Sequence, residues 1–130
     1  MSAARGELVR AKIAKARDFL DLAVFAGDEY FDPAVSLAVS AAVNASDVLC
    51  VIATGGYPTG ENHGDATGAL RKAGYRQAST HLARVLAYKN KAQYSPARCT
   101  VRDALEVTKH AQRLLDAAVD EATSKGYLSV

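Results

Sequence analysis

One cation, Lys89 in the segment Lys-Asn-Lys-Ala-Gln-Tyr, stands where a helical face should turn inward. On a helical wheel it falls between Leu82, Val85, Leu86 and Gln93. A lysine is almost never fully buried without a partner, because an uncompensated charge costs several kcal/mol. The one carboxylate on the most apolar stretch of the chain, which this face has to cover, is Asp47. The spacing therefore predicts an Asp47–Lys89 ion pair. Such a pair serves either a ligand site or helix register alone, and Lys89 has the further option of carrying its ammonium to water along its own stem.

Three histidines, His63, His81 and His110, are the other candidates for chemistry. Arg76 and His81 are five residues apart. On a regular helix that spacing turns them about 140° from each other, so convergence would need an irregular backbone. Glu61, His63 and Asp65 offer three metal-ligand types within five residues but lack a fourth partner, and no metal or cofactor is expected. His63 is expected instead to pin its loop over the Asp47–Lys89 region. His110 is expected on a solvated flank. The loop glycines follow no strand and open no Gly-Lys-Ser/Thr step, which excludes a P-loop.

The elements that must position these residues are helical. Residues Glu7 to Gly27 repeat apolar side chains at Val9, Ile13, Ala16, Leu20 and Ala23, a 3.6-residue period. Pro33 to Ala53 is apolar and small nearly all round, with Ser36, Ser40, Asn44 and Asp47 on one stripe, as expected of an interior helix. Asp32 is its expected N-cap, Pro33 its first residue, and Thr54-Gly55-Gly56 its stop. A glycine-rich loop runs from Gly55 to Gly68, overlapped by a short helix from Asp65 to Lys72. A third long helix is expected from Gln77 to Tyr94. A fourth, capped by Thr100 with Asp103, should turn Val101, Ala104, Leu105, Thr108, Ala111, Leu115, Ala118, Val119 and Ala122 inward. Val107 and Leu114 fall off that face and suggest a second contact surface, for another chain. The pattern is an all-α, up-and-down four- to five-helix bundle, a single domain over residues 1–130.

Composition narrows the function classes. Sixteen basic against 14 acidic residues leave a formal net charge of +2, which argues against a chain that coats nucleic acid as its main task. Cys50 lies inside the apolar helix and reads as a small hydrophobe, while Cys99 falls in a loop. No apolar leader precedes the first helix, and the polar residues of Pro33–Ala53 speak against a membrane span, so a reduced cytoplasmic setting is expected.

Three motifs resemble the HEPN domain (higher eukaryotes and prokaryotes nucleotide-binding), most closely uncharacterised bacterial HEPN-like proteins. They are Ala45-Ser46-Asp47 late in the second helix, Asn62-His63-Gly64-Asp65 in the loop, and His-Leu-Ala-Arg-Val-Leu-x-x-Lys-x-x-Ala-x-Tyr from His81 to Tyr94. The resemblance spans about Leu8 to Ala122. It implies a bundle that is usually a homodimer, with Asp47, His63, Asp65, Lys89 and Tyr94 as binding residues. It also implies one of two activities: partnership with a small nucleotidyltransferase, as in toxin–antitoxin systems, or metal-independent cleavage of RNA. Ribonuclease members carry Arg and, four to six residues on, His. Arg76 and His81 match that spacing, but at the family's register Lys89 and Tyr94 replace the pair. The expectation is a non-catalytic module that binds a nucleotide, RNA or a nucleotidyltransferase, with an endoribonuclease and a purely structural dimer as the alternatives.

Overall fold

A computed structural model describes residues 2–59 and 64–129. Among them every regular element is a helix: α1 Ala3–Ala26, α2 Phe31–Thr54, α3 Gly64–Lys72, α4 Arg76–Leu86, α5 Lys89–Gln93 and α6 Val101–Ser124. The all-α bundle expected from periodicity is the fold.

α2 is the axis, in contact with each of the other five helices. Ala34, Ala38, Ala41, Ala42 and Ala45 are fully buried along it. Their methyl groups let α1 and α6 approach closely, and α1 and α6 also touch each other, closing a three-helix wedge. α1 meets α2 through Val9, Ile13, Ala16, Leu20 and Ala23, the five positions that its periodicity marked. Four residues join the two helices, so they run antiparallel as an αα-hairpin. By length and composition α2 could cross a membrane, and 67% of that stretch is covered by the rest of the chain.

Three expectations are corrected. α2 begins at Phe31, with Tyr30 at the N-cap and no side-chain cap, so Asp32 lies inside the first turn. Its carboxylate instead accepts the Cys99 backbone N–H at 2.8 Å, and that bond holds the entry to α6 against the start of α2. The third long helix is not continuous. After Leu86 the Tyr88 N–H bonds back three residues to Val85, the tighter 3₁₀ pattern, and α5 restarts at Lys89. A wheel drawn through Gln77–Tyr94 therefore loses its phase just before the lysine it was meant to orient.

On α6 the capping box forms as expected: Thr100 accepts the Asp103 N–H, and Asp103 accepts the Thr100 N–H. The inner face, however, is rotated. Val107 and Leu114 are fully buried within this one chain, whereas Val101 and Leu105 are 49% and 68% exposed. Val107 and Leu114 thus serve the core of this chain and not a second surface. α6 is covered along two sides, by α1 and α2 on one and by α4 on the other, so its buried arc is wider than a single-stripe wheel allows.

Candidate functional site

The carboxylate of Asp47 is buried at the heart of the bundle, and the cation that answers it comes from α1. Lys12 Nζ lies 2.9 Å from Asp47 Oδ2, with side-chain exposures of 17% and 7%. The same ammonium stands 4.2 Å from the centre of the Tyr57 ring, in the segment after α2. Lys12 therefore ties α1, α2 and that segment together. The expected Asp47–Lys89 pair does not form. Lys89 sits half-buried at the start of α5 and makes no ion pair among the described residues, because the turn at Ala87–Tyr88 re-aims it. Its neighbour Lys91 is the paired residue, 2.8 Å from Asp103 at the α6 cap. Tyr94, at the end of α5, is 74% exposed.

Of the remaining expected residues, His63, with Glu61 and Asn62, lies outside the described residues. Asp65 occupies the exposed first turn of α3. Arg76 opens α4 and is exposed, and His81 lies on the opposite side of the same regular helix, turned toward α6. Arg76 and His81 are thus not brought together within one chain. Among the described residues, no three His, Cys, Asp or Glu side chains gather as metal ligands. Cys50 and Cys99 are both buried free thiols, and burial, followed by the Asp32 carboxylate, pushes Cys99 up to about 11.

What His81 meets is His110, the residue expected on a solvated flank. The two Nδ1 atoms are 2.9 Å apart and the rings are 5.1 Å between centres. His110 is 14% exposed, and its Nε2 lies 3.9 Å from Glu106 Oε1, one turn back on α6. The other oxygen of Glu106 accepts the Tyr88 hydroxyl at 3.0 Å, which anchors the turn between α4 and α5 to α6. A continuous polar chain, Tyr88–Glu106–His110–His81, therefore runs along the α4–α6 seam.

Cations surround this chain. Arg84 follows His81 by one turn of α4, and Arg113 follows His110 by one turn of α6. Burial first, then His110 and the two arginines, holds His81 below the ordinary imidazole value. Burial likewise lowers His110, and the attraction of Glu106 only partly opposes it. Both rings are consequently neutral at pH 7. Beside them an open cavity of about 490 Å³ is lined by Arg71, Thr80, Ala83, Arg84, Ala87, Tyr88 and Glu106.

Sequence reasoning missed Glu106, His110 and Arg113 because the face of α6 was drawn through Leu105. With Val107 and Leu114 as its centre, His110 falls within about 60° of that face. The Glu106-to-His110 spacing of four was the available signal. Compared with known protein families, curated proteins and solved structures, the chain matches none.

Proposed function

We propose that this chain is a non-catalytic HEPN-like binding or accessory module that takes the phosphate of a nucleotide or RNA on its α4–α6 seam. The observation that carries the reading is the cavity of about 490 Å³ beside the histidine pair, where Arg71, Arg84 and Thr80 stand around open space and its carboxylate, Glu106, is engaged by the Tyr88 hydroxyl. Guanidinium and hydroxyl donors around a concavity suit phosphate oxygens. A nucleotidyltransferase of a toxin–antitoxin pair is the protein partner that this reading carries, in a cytoplasmic setting.

The module acts as a homodimer. Leu22, Val24 and Phe25 at the end of α1, Tyr30 at the N-cap of α2, and Val101 and Leu105 at the start of α6 are each about half exposed or more. Val24, Val101 and Leu105 border one groove of about 480 Å³ whose rim carries both Asp28 and Lys109. An apolar centre with both charge signs on its rim is what a self-complementary two-fold contact needs. The endoribonuclease alternative asks Arg76 and His81 to share a phosphate, and about 140° of helix rotation between them speaks against it.

Fluorescence anisotropy with a labelled single-stranded RNA tests the reading. Binding should weaken as salt rises, and Arg84→Ala should lose most of the affinity. RNA that binds neither protein at low salt refutes it. RNA left with the protein in EDTA should stay intact; cleavage abolished by His81→Ala or Lys89→Ala overturns the non-catalytic part. Sedimentation should give a dimer that Phe25→Glu and Leu105→Glu dissociate.

A further inference from the structure

We propose that His81 Nε2, together with the Arg84 and Arg113 guanidinium groups, forms a proton-linked site for one tetrahedral oxyanion of the phosphate class. The site takes up a proton as it takes up the anion. This rests on reading the α4–α6 seam as the phosphate-binding face, and it assigns the group that contacts the anion and the pH dependence of the contact.

The tautomers follow from the neighbours. An ionised Glu106 favours the proton of His110 on Nε2, the nitrogen it faces at 3.9 Å. His110 Nδ1 is then the acceptor, and across the 2.9 Å contact His81 Nδ1–H is the donor. That leaves the lone pair of His81 on Nε2. Among the described residues this atom has no hydrogen-bond partner and is not buried, so it reaches solvent.

A lone pair repels an anion, so the neutral pair cannot hold one there. Protonation of His81 at Nε2 changes the outward nitrogen from acceptor to donor while Nδ1–H continues to donate to His110. The pair thus accepts one proton without breaking its internal bond. A second proton would set two N–H groups against each other. Arg84 stands one turn on from His81 in α4, and Arg113 one turn on from His110 in α6, so the contact between the two rings brings both charges to bear on His81. Glu106 and Lys109 act on it through His110, and Arg71 of α3 lines the adjoining cavity. All but Glu106 are cations or neutral rings that disfavour a proton in the empty site. A bound anion reverses that balance, and this reversal is the coupling. The same cations disfavour a metal ion between the two Nδ1 atoms, where no carboxylate stands.

Sulfate is the probe, since it keeps one charge state between pH 6 and pH 8. Calorimetric titration of the whole chain, run in two buffers of different ionisation enthalpy, should show net proton uptake with sulfate at pH 7. Affinity should fall as pH rises above neutrality. His81→Gln should abolish both the slope and the proton uptake. Arg84→Gln should weaken sulfate severalfold at every pH and keep the uptake. In the unaltered protein, added sulfate should move the titration of one histidine Cε1–H resonance to higher pH, a readout that needs no variant to fold. Sulfate affinity that is flat with pH, a slope retained in His81→Gln, or no sulfate binding at pH 6 each overturns the proposal. Sulfate bound with the proton slope by a protein that binds neither nucleotide nor RNA would instead sink the module reading and leave this site standing.

Discussion

Lys12→Met is the sharpest perturbation of this bundle, because it takes the ammonium from a carboxylate buried on the interior helix. Asp47 is carried by the interior helix and is 5% exposed, while methionine fills the volume of the lysine stem. Removing one member of a buried pair costs about 3–5 kcal/mol. The 17% exposure of Lys12 places the expected loss at the lower end, about 3 kcal/mol, including the contact with the Tyr57 ring. The reverse change should cost less. In Asp47→Asn the orphaned ammonium can swing along its stem to water, so about 1 kcal/mol is expected. Urea unfolding followed by helical circular dichroism reads the difference. With a slope of about 2 kcal/mol per molar, the Lys12→Met midpoint should fall by about 1.5 M and the Asp47→Asn midpoint by about 0.5 M. The double variant should show coupling of at least ~1 kcal/mol. A Lys12→Met midpoint within about 0.3 M of the parent, or no coupling in the double variant, would refute the assignment of this pair as a buried polar tie of the core.

Thr100→Ala removes one half of the capping box on α6 and should cost about 1 kcal/mol, read as a lower urea midpoint with an unchanged slope. Gly55 ends α2 at φ +88°, where a Cβ would also meet the Arg5 guanidinium. Gly55→Ala should lose about 1 kcal/mol, and adding Arg5→Ala should not restore it, since the backbone strain remains when the flexible side chain is gone. The Cys99 backbone N–H, and to a smaller degree Arg98, hold Asp32 below the usual carboxylate value of 3.8. The stability this lends is present above the unfolded value and is lost as pH falls through the lower folded one. Asp32→Asn should therefore be less stable than the parent at pH 7, and the gap should close below about pH 4, measured by thermal melts across the acid range.

The amino-acid order alone determined the all-helical class, α1, the cap of α6 and the identity of the central helix. Periodicity of 3.6 residues is a local property, and so is the Thr100–Asp103 cap, which is why the buried positions of α1 and the start of α6 could be read without coordinates. An alanine-rich stretch, apolar round most of its circumference and carrying Asp47 among small residues, reads as an interior helix, so α2 and the burial of Asp47 were legible as well. Which cation answers Asp47 was not, because several helices pass α2 and only their packing puts Lys12 and not Lys89 within 2.9 Å. The break at Ala87–Tyr88 is likewise tertiary: it sits where Tyr88 reaches across to Glu106, and a wheel carries no record of a neighbour on another helix. His81 and His110 are 29 residues apart and met only when the three-dimensional fold turned α4 against α6. Pairing between helices depends on the few degrees by which each rotates to fill its core, and a sequence periodic to within half a turn leaves that rotation open.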